Sequence, residues 1–254
     1  MKMGKTKRDM YLRENRISEI DFLPERPYVL DTGVKAIPRR KTHDYHMLFT
    51  AREEEVKRHL VLKENETFVD VGANVGTYAL MAANEHKDRK AKVIAIEPHP
   101  ENYRALCKNI QINNFENIIK PVNKAVSDHK GKVSMYERSF DGSRRVDSEM
   151  YSIYGKKFLG KYNIPHPNGK SLQVECDTLD NILVNQSVDI MKMDIEGAEV
   201  LALKGATNTL KQLRKIIIEV HSDNFDSVNH ILRKNGFNCD SFYSAHMQYI
   251  VASK

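Results

Sequence analysis

Short apolar runs alternate with longer amphipathic stretches from about residue 67 onward, and this alternation is the first guide to the fold. "TFVDVG" has the length and continuity of a buried strand, and a helical pattern through "TYALMAANEHK" follows it. "KVIAIEP" predicts the next strand. Behind it, Tyr103, Leu106, Cys107 and Ile110 form one apolar stripe in "PENYRALCKNIQINN", a helix that Pro100 is suited to open. "NIIKPVNKAV" predicts a third strand, "KVSMYE" another that suits antiparallel pairing, and "LQVECD" a short one. Asp177 or Thr178 then caps the helix "LDNILVN". "VDIMKMD" and "RKIIIEV" are strongly apolar strands with a helix between them. "FDSVNHILRKNG" is a helix ending where Gly236 permits a left-handed cap, and "FNCDSFYS" and "MQYIVAS" close the chain as strands.

Strands that alternate with helices and are nearly continuous in apolar residues belong to a mostly parallel sheet covered on both faces. The two terminal strands predict a hairpin that adds an antiparallel edge. The expected class is α/β, with one sheet domain over residues 55–254. Residues 1–54 predict an irregular or helical cap. Pro24, Pro27 and Pro38 discourage long helices there, and helical spacing begins near His43 with Met47, Leu48, Ala51, Val56 and Leu60. Between residues 139 and 170 the periodicity lapses over a length typical of functional lids or disordered loops. Tyr151, Tyr154 and Tyr162 favour a substrate lid.

Hydrophobic residues make up 41% of the 254 and charged ones 29%, enough apolar material for a sizeable core. No apolar run approaches the roughly 18 residues of a membrane span. The basic start "MKMGKTKRDM" lacks the apolar stretch of a secretory signal. Cys107, Cys176 and Cys239 are odd in number and widely spaced, the pattern of reduced thiols in a cytoplasmic protein. A formal net charge of +6 is compatible with an acidic partner such as nucleic acid. The lysines and arginines sit among acids, however, as in "AREEEVKRHL", which favours a solvated surface over a nucleic-acid face. No feature specifies an oligomeric state.

The stretch "VDVGANVGTY" joins a strand to a helix through Gly72 and Gly76. It has neither the Gly-x-Gly-x-x-Gly of dinucleotide sites nor the Gly-Lys-Ser/Thr of a P-loop. Ligands of parallel sheets gather at such strand ends. Glycines there would let the backbone pass close to a ligand, and the helix N-terminus favours a carboxylate. Glu97, about twenty residues on, ends "KVIAIE", where an acid accepts from both ribose hydroxyls and repels a 2′-phosphate. The missing middle glycine implies that no pyrophosphate is accommodated. A ribose with an amino-acid tail, S-adenosylmethionine, fits better than a nicotinamide cofactor. Asp70 then faces the ammonium or the turn, and Asn74 fixes the turn or the cofactor's carboxylate.

Taken in order, "VDVGANVGTYALMAA", "VIAIEPHPENYRALCKNIQIN", "NKAVSD", "CDTLDNIL" and "IMKMDIEGAEVLALKGA" resemble the successive motifs of FkbM-type methyltransferases, over roughly Thr67 to His221. The resemblance implies the Rossmann-like class I methyltransferase fold: a seven-stranded, mostly parallel sheet with an antiparallel edge strand and helices on both faces. It implies S-adenosylmethionine lined by Asp70, Gly72, Ala73, Asn74 and Gly76. Glu97 would bind the ribose beside Pro98, and the backbone from Asn123 to Ala125 would face the adenine. The implied reaction is O-methylation of a hydroxyl on a sugar, glycan or small natural product. Residues 1 to about 50 and 139 to 170 lie outside the resemblance and leave the acceptor open.

Lys192, Asp194, Glu196 and Glu199 crowd the end of one apolar strand, and Glu219 and His221 end the next. Two functional readings are open. In one, Asp194, Glu219 and His221 hold Mg²⁺, Mn²⁺ or a similar ion that orients and acidifies a substrate hydroxyl. That placement resembles the catechol-type O-methyltransferases, whose metal ligands follow the same two strands. In the other, no metal is present; Asp194, Glu196 or His221 is the general base and Lys192 tunes its pKa. A structural account instead pairs Lys192 with Glu196 and lets Glu199 merely start a helix. Two further functions are carried as alternatives: a 2′-O-ribose RNA methyltransferase using Lys192 and Asp194, and a non-catalytic S-adenosylmethionine-binding scaffold.

Overall fold

The computed structural model describes residues 25–40, 42, 44–49, 54–138, 147–152, 171–244 and 247–254. The first of these form a small antiparallel pair, β1 (Tyr28–Val29) and β2 (Lys35–Ala36), then helices α1 (Asp44–Phe49) and α2 (Glu54–His59). Alternation begins with β3 (Thr67–Val71), α3 (Thr77–His86), β4 (Lys92–Ile96), α4 (Pro100–Ile112) and β5 (Ile119–Val122). Short strands follow: β6 (Ala125–Val126), β7 (Gly131–Arg138), β8 (Asp147–Ser152) and β9 (Ser171–Asp177). The second alternating series is α5 (Leu179–Ile182), β10 (Ile190–Met193), α6 (Glu199–Lys204), α7 (Thr207–Gln212), β11 (Lys215–Val220) and α8 (Phe225–Lys234). The hairpin β12 (Asn238–Ser244) and β13 (Met247–Ser253) ends it.

Among the described residues the main sheet has seven strands in the order β12-β13-β11-β10-β3-β4-β5. The five from β11 to β5 are parallel, and β13 runs antiparallel to both its neighbours. The antiparallel strand therefore lies one place in from the edge, with β12 outside it. Strand order reverses between β3 and β10, which opens a crevice at their carboxyl ends.

The apolar pattern predicted one strand in "NIIKPVNKAV". The chain instead leaves the main sheet after β5, and β6 joins a second sheet in the order β6-β9-β7-β8. Of the expected lid, residues 147–152 with Tyr151 form β8, paired with β7; Tyr154 and Tyr162 lie outside the described residues. Thr178 rather than Asp177 caps α5, its Oγ1 accepting from the Asn181 N–H at 3.2 Å. The helix expected between the two apolar strands is broken into α6 and α7.

Alternation along the central strands sorts their side chains into two cores. Val69, Val71, Ile94, Ile96, Met191 and Met193 pack on one face with α6, α7 and α8. Phe68, Val93, Ala95, Ile190 and Ile217 pack on the other with α3, α4 and the N-terminal segment, through Leu30, Val34, Ala36 and Leu48. Asn109 of α4 locks that segment in place. Its Oδ1 accepts from the Ile37 N–H at 2.9 Å and its Nδ2 donates to the Val75 carbonyl at 2.9 Å. The three cysteines are free thiols, and no described helix is long and apolar enough to cross a membrane.

At the crevice, β3 and β10 come so close that a Cβ on Gly72 would stand 1.8 Å from the Asp194 carbonyl oxygen, with φ already at +80°. Gly236, after α8, has a similar φ of +84° and open space around it. Gly236→Ala therefore carries only the left-handed strain, about 1 kcal/mol. Gly72→Ala adds a backbone collision and is expected to lose about 3 kcal/mol or more in urea unfolding. Equal losses for the two variants would refute the close approach.

Candidate active site

The turn after β3 is held by the end of β4. Gly72 and Ala73 both donate their N–H groups to the Ile96 carbonyl, at 2.9 and 3.0 Å. Asn74, at φ +51°, donates its N–H to Glu97 Oε2 at 2.8 Å. Asp70 is fully buried, and its Oδ2 accepts the Ala79 N–H at 3.1 Å, one of the first-turn donors that α3 cannot satisfy itself. Burial pushes the Asp70 carboxyl up to about 6; Lys192 pulls it down and Asp194 pushes it further up. Asp70 Oδ1 and Asn74 Oδ1 are buried with no hydrogen-bond partner among the described residues. Native structures rarely leave buried acceptors in this state without a ligand or water to meet them. A cationic or hydroxylic donor, such as the ammonium or a ribose hydroxyl of S-adenosylmethionine, fits these two atoms.

Glu97 is a hub rather than an open acceptor. Besides Asn74, it takes the His99 N–H on Oε1 at 2.9 Å and Asn102 Nδ2 at 3.4 Å. Asn102 in turn accepts from Arg39, which forms a bidentate pair with Asp44 at 2.7 Å, so the N-terminal segment reaches the hub. Burial raises the Glu97 carboxyl to about 7 against the pull of these hydrogen bonds and Arg39. Asn123 sends its amide to the carbonyls of Glu97 and Pro98, at 2.8 and 3.0 Å, and so shapes the wall after β4. Ala125 begins β6 and pairs with Cys176. His99, next to Pro98, is held neutral chiefly by burial, which lowers its pKa to about 4.

On the neighbouring strands a polar row occupies the same sheet face as Asp70. Lys192 is its register partner across the β3–β10 pair, and Glu219 pairs with Tyr249 between β11 and β13. The Lys192 ammonium is buried, 3.3 Å from Asp194 Oδ2 and 4.8 Å from the centre of the Tyr78 ring. The Tyr249 hydroxyl donates to Glu219 Oε2 at 2.5 Å.

His221 Nδ1 meets Glu199 Oε1 at 3.0 Å, and its Nε2 lies 3.3 Å from Glu219 Oε1 and 3.6 Å from Glu196 Oε2. Glu199 is itself fixed by the Gly197 N–H at 2.8 Å and Asn224 Nδ2 at 2.7 Å. Burial opposes a charge on His221, but Glu196, Glu199 and Glu219 outweigh it and raise the imidazole well above its usual pKa.

The structure thus brings together Lys192 with Asp194, and Glu196 and Glu219 with His221. Glu199, which the structural account had merely starting a helix, is the partner of the histidine. The acidic run "DIEGAE" held that signal, but helix periodicity alone could not show which way the side chain turns. Asn224, Tyr78 and Tyr249 had no signal in the sequence at all. Protein packing adds a reason of its own for the glycines: a Cβ on Gly72 would meet the Asp194 backbone, and Gly76 has a φ of +97° with the Leu106 side chain 2.7 Å from where a Cβ would stand.

The strand order and the crevice define a class I S-adenosylmethionine-dependent methyltransferase fold. Residues 70–239 match the Methyltransferase FkbM domain, and the chain belongs to that family. It is similar to hexuronic acid methyltransferase AglP of Haloferax volcanii, 26% identical over 63% of this chain and 58% of that protein. It is also similar to methyltransferase sdnD of Sordaria araneosa, 27% identical over 62% of this chain and 67% of that one. The chain thus spans between about three fifths and two thirds of the length of these relatives. A crystal structure of methyltransferase FkbM from Methylobacillus flagellatus shares the fold, with a TM-score of 0.51 and 20% identity over 75% of this chain and 44% of that chain.

Because the folded Glu97 carboxyl titrates near 7 and an ordinary one at 4.5, the folded state holds this proton more tightly than the unfolded chain does. The resulting stabilisation is complete below about pH 4.5 and disappears as pH rises to about 7, a loss of about 3 kcal/mol. Subtracting the unfolding free energies of Glu97→Gln from those of the ligand-free parent should reproduce this fall. A difference that stays flat across the window would contradict it.

Proposed function

We propose that this chain transfers the methyl group of S-adenosylmethionine to a hydroxyl of a sugar, glycan or small natural product. The observation that carries the proposal is the contact between Gly72 and Asp194. It holds the turn with its two unsatisfied acceptors against the strand end that bears the carboxylates. Family membership and the similarity to a hexuronic acid methyltransferase support the same direction.

When bound, S-adenosylmethionine supplies an electrophilic methyl group on a sulfonium. Asp70 Oδ1 and Asn74 Oδ1 accept from its amino-acid end, while Gly72, Ala73 and Gly76 shape the turn around it. The one acceptor site that Glu97 keeps beyond its three protein donors takes a ribose hydroxyl, and Pro98 with the chain from Asn123 to Ala125 forms the side that faces the adenine. Lys192 holds Asp194 at the acceptor side through their 3.3 Å contact. Asp194, with Glu196 and His221 beside it, orients the incoming hydroxyl and takes up its proton. General-base assistance of this kind contributes about 10²- to 10⁴-fold.

Two measurements test this. Asn74→Ala should weaken S-adenosylmethionine binding in calorimetry by about tenfold, the value of one lost hydrogen bond to a charged group. Incubation with labelled S-adenosylmethionine and pools of uronic acids, neutral sugars, phenols and RNA should label a sugar or small-molecule hydroxyl. Asp194→Asn should lower that turnover by about 10²-fold or more while leaving cofactor affinity within about threefold. Label appearing in RNA alone, or full turnover in Asp194→Asn, would sink the assignment.

A further inference from the structure

We propose that Asp194, Glu219 and His221 form a binding site for one divalent cation of the Mn²⁺ type at the acceptor side of the crevice. Its role deepens the methyltransferase assignment and rests on it, but the occupancy of the site does not. One ligand atom from each of the three side chains lies within 4.8 Å of the others. Bonds of about 2.1–2.4 Å place opposite ligands of an octahedral ion about 4–5 Å apart. The set combines carboxylate oxygens with one imidazole nitrogen, a mixture that suits a borderline-hard ion.

The elements that supply these ligands also orient them. His221 is tied through Nδ1 to Glu199, which directs Nε2 toward Glu219 and Glu196. Glu219 is tied through Oε2 to the Tyr249 hydroxyl, and Asp194 through Oδ2 to the Lys192 ammonium. A carboxylate on the far nitrogen of a histidine and a donor on the far oxygen of a carboxylate are the usual outer partners of metal ligands. They come here from three separate parts of the chain: β10, α6 and β13.

Charge points the same way. Four carboxylates, of Asp194, Glu196, Glu199 and Glu219, surround His221 and Lys192, and both of these bases are nine-tenths or more buried. Two carboxylates converge on Nε2, where either a proton on that nitrogen or a cation bound to it offsets their charge, and the four acids outnumber the two bases. A divalent ion there would supply Lewis acidity to a bound hydroxyl.

The test uses the full chain, stripped with chelator and titrated with Mn²⁺ alone, without S-adenosylmethionine. Expected are loss of the free-ion electron paramagnetic resonance signal at one equivalent and nitrogen modulation in the spin-echo spectrum from the imidazole. Glu219→Gln and His221→Gln should each weaken Mn²⁺ at least tenfold, and Glu199→Gln by about tenfold to a hundredfold. Asn74→Ala should leave Mn²⁺ binding unchanged, so that failure of the cofactor site and failure of the metal site are separable. No uptake at millimolar Mn²⁺, uptake without nitrogen modulation, or uptake indifferent to His221→Gln would overturn the proposal. The parent protein alone decides the first two outcomes, whatever the stability of the variants.

Discussion

The site depends on one steric fact: β3 and β10 meet so closely after Val71 and Met193 that residue 72 has no room for a side chain. The Asp194 carbonyl fills the space a Cβ would take. That contact joins two segments that lie far apart in sequence. The turn bearing Asp70 and Asn74 is pressed against the strand end bearing Lys192 and Asp194. Any rearrangement of one must move the other, because packed backbone has no slack of that size.

Around this contact, charge is organised by burial rather than by salt-bridge counting. Asp70 and Glu97 are both nearly or wholly excluded from water, and both carboxyls are pushed toward neutrality by desolvation. What holds Glu97 is a set of directed donors from Asn74, His99 and Asn102, which also fixes the turn. The N-terminal segment contributes through Arg39, Asp44 and Asn102. The N-terminal segment is thus tied into the Glu97 network.

The cluster around His221 follows the opposite rule. Four acids face one lysine and one histidine, and each of Asp194, Glu219 and His221 is anchored by an outer partner. Preorganisation of this sort is what a site needs to act on a hydroxyl in a water-poor crevice. It also separates the contacts within "DIEGAE": Asp194 turns to Lys192, Glu196 to Nε2 of His221, and Glu199 to its Nδ1.

The sequence by itself determined the alternation of strands and helices, the mostly parallel sheet, and the polar and acidic residues at the ends of β3, β4, β10 and β11. It could do so because hydrophobic periodicity and strand-end glycines are local signals. It also carried the ordered motifs from Asp70 to His221. Only the tertiary structure decided that β6 and β9 leave the main sheet, that Gly72 answers to Asp194, and that Glu199, Tyr249 and Asn224 orient the site. Those facts depend on contacts between residues dozens of positions apart, and side-chain period along one strand says nothing about what the next strand places opposite. The glycine turn after β3 was therefore legible in one line of sequence, whereas the cluster around His221 exists only where three strands and a helix come together.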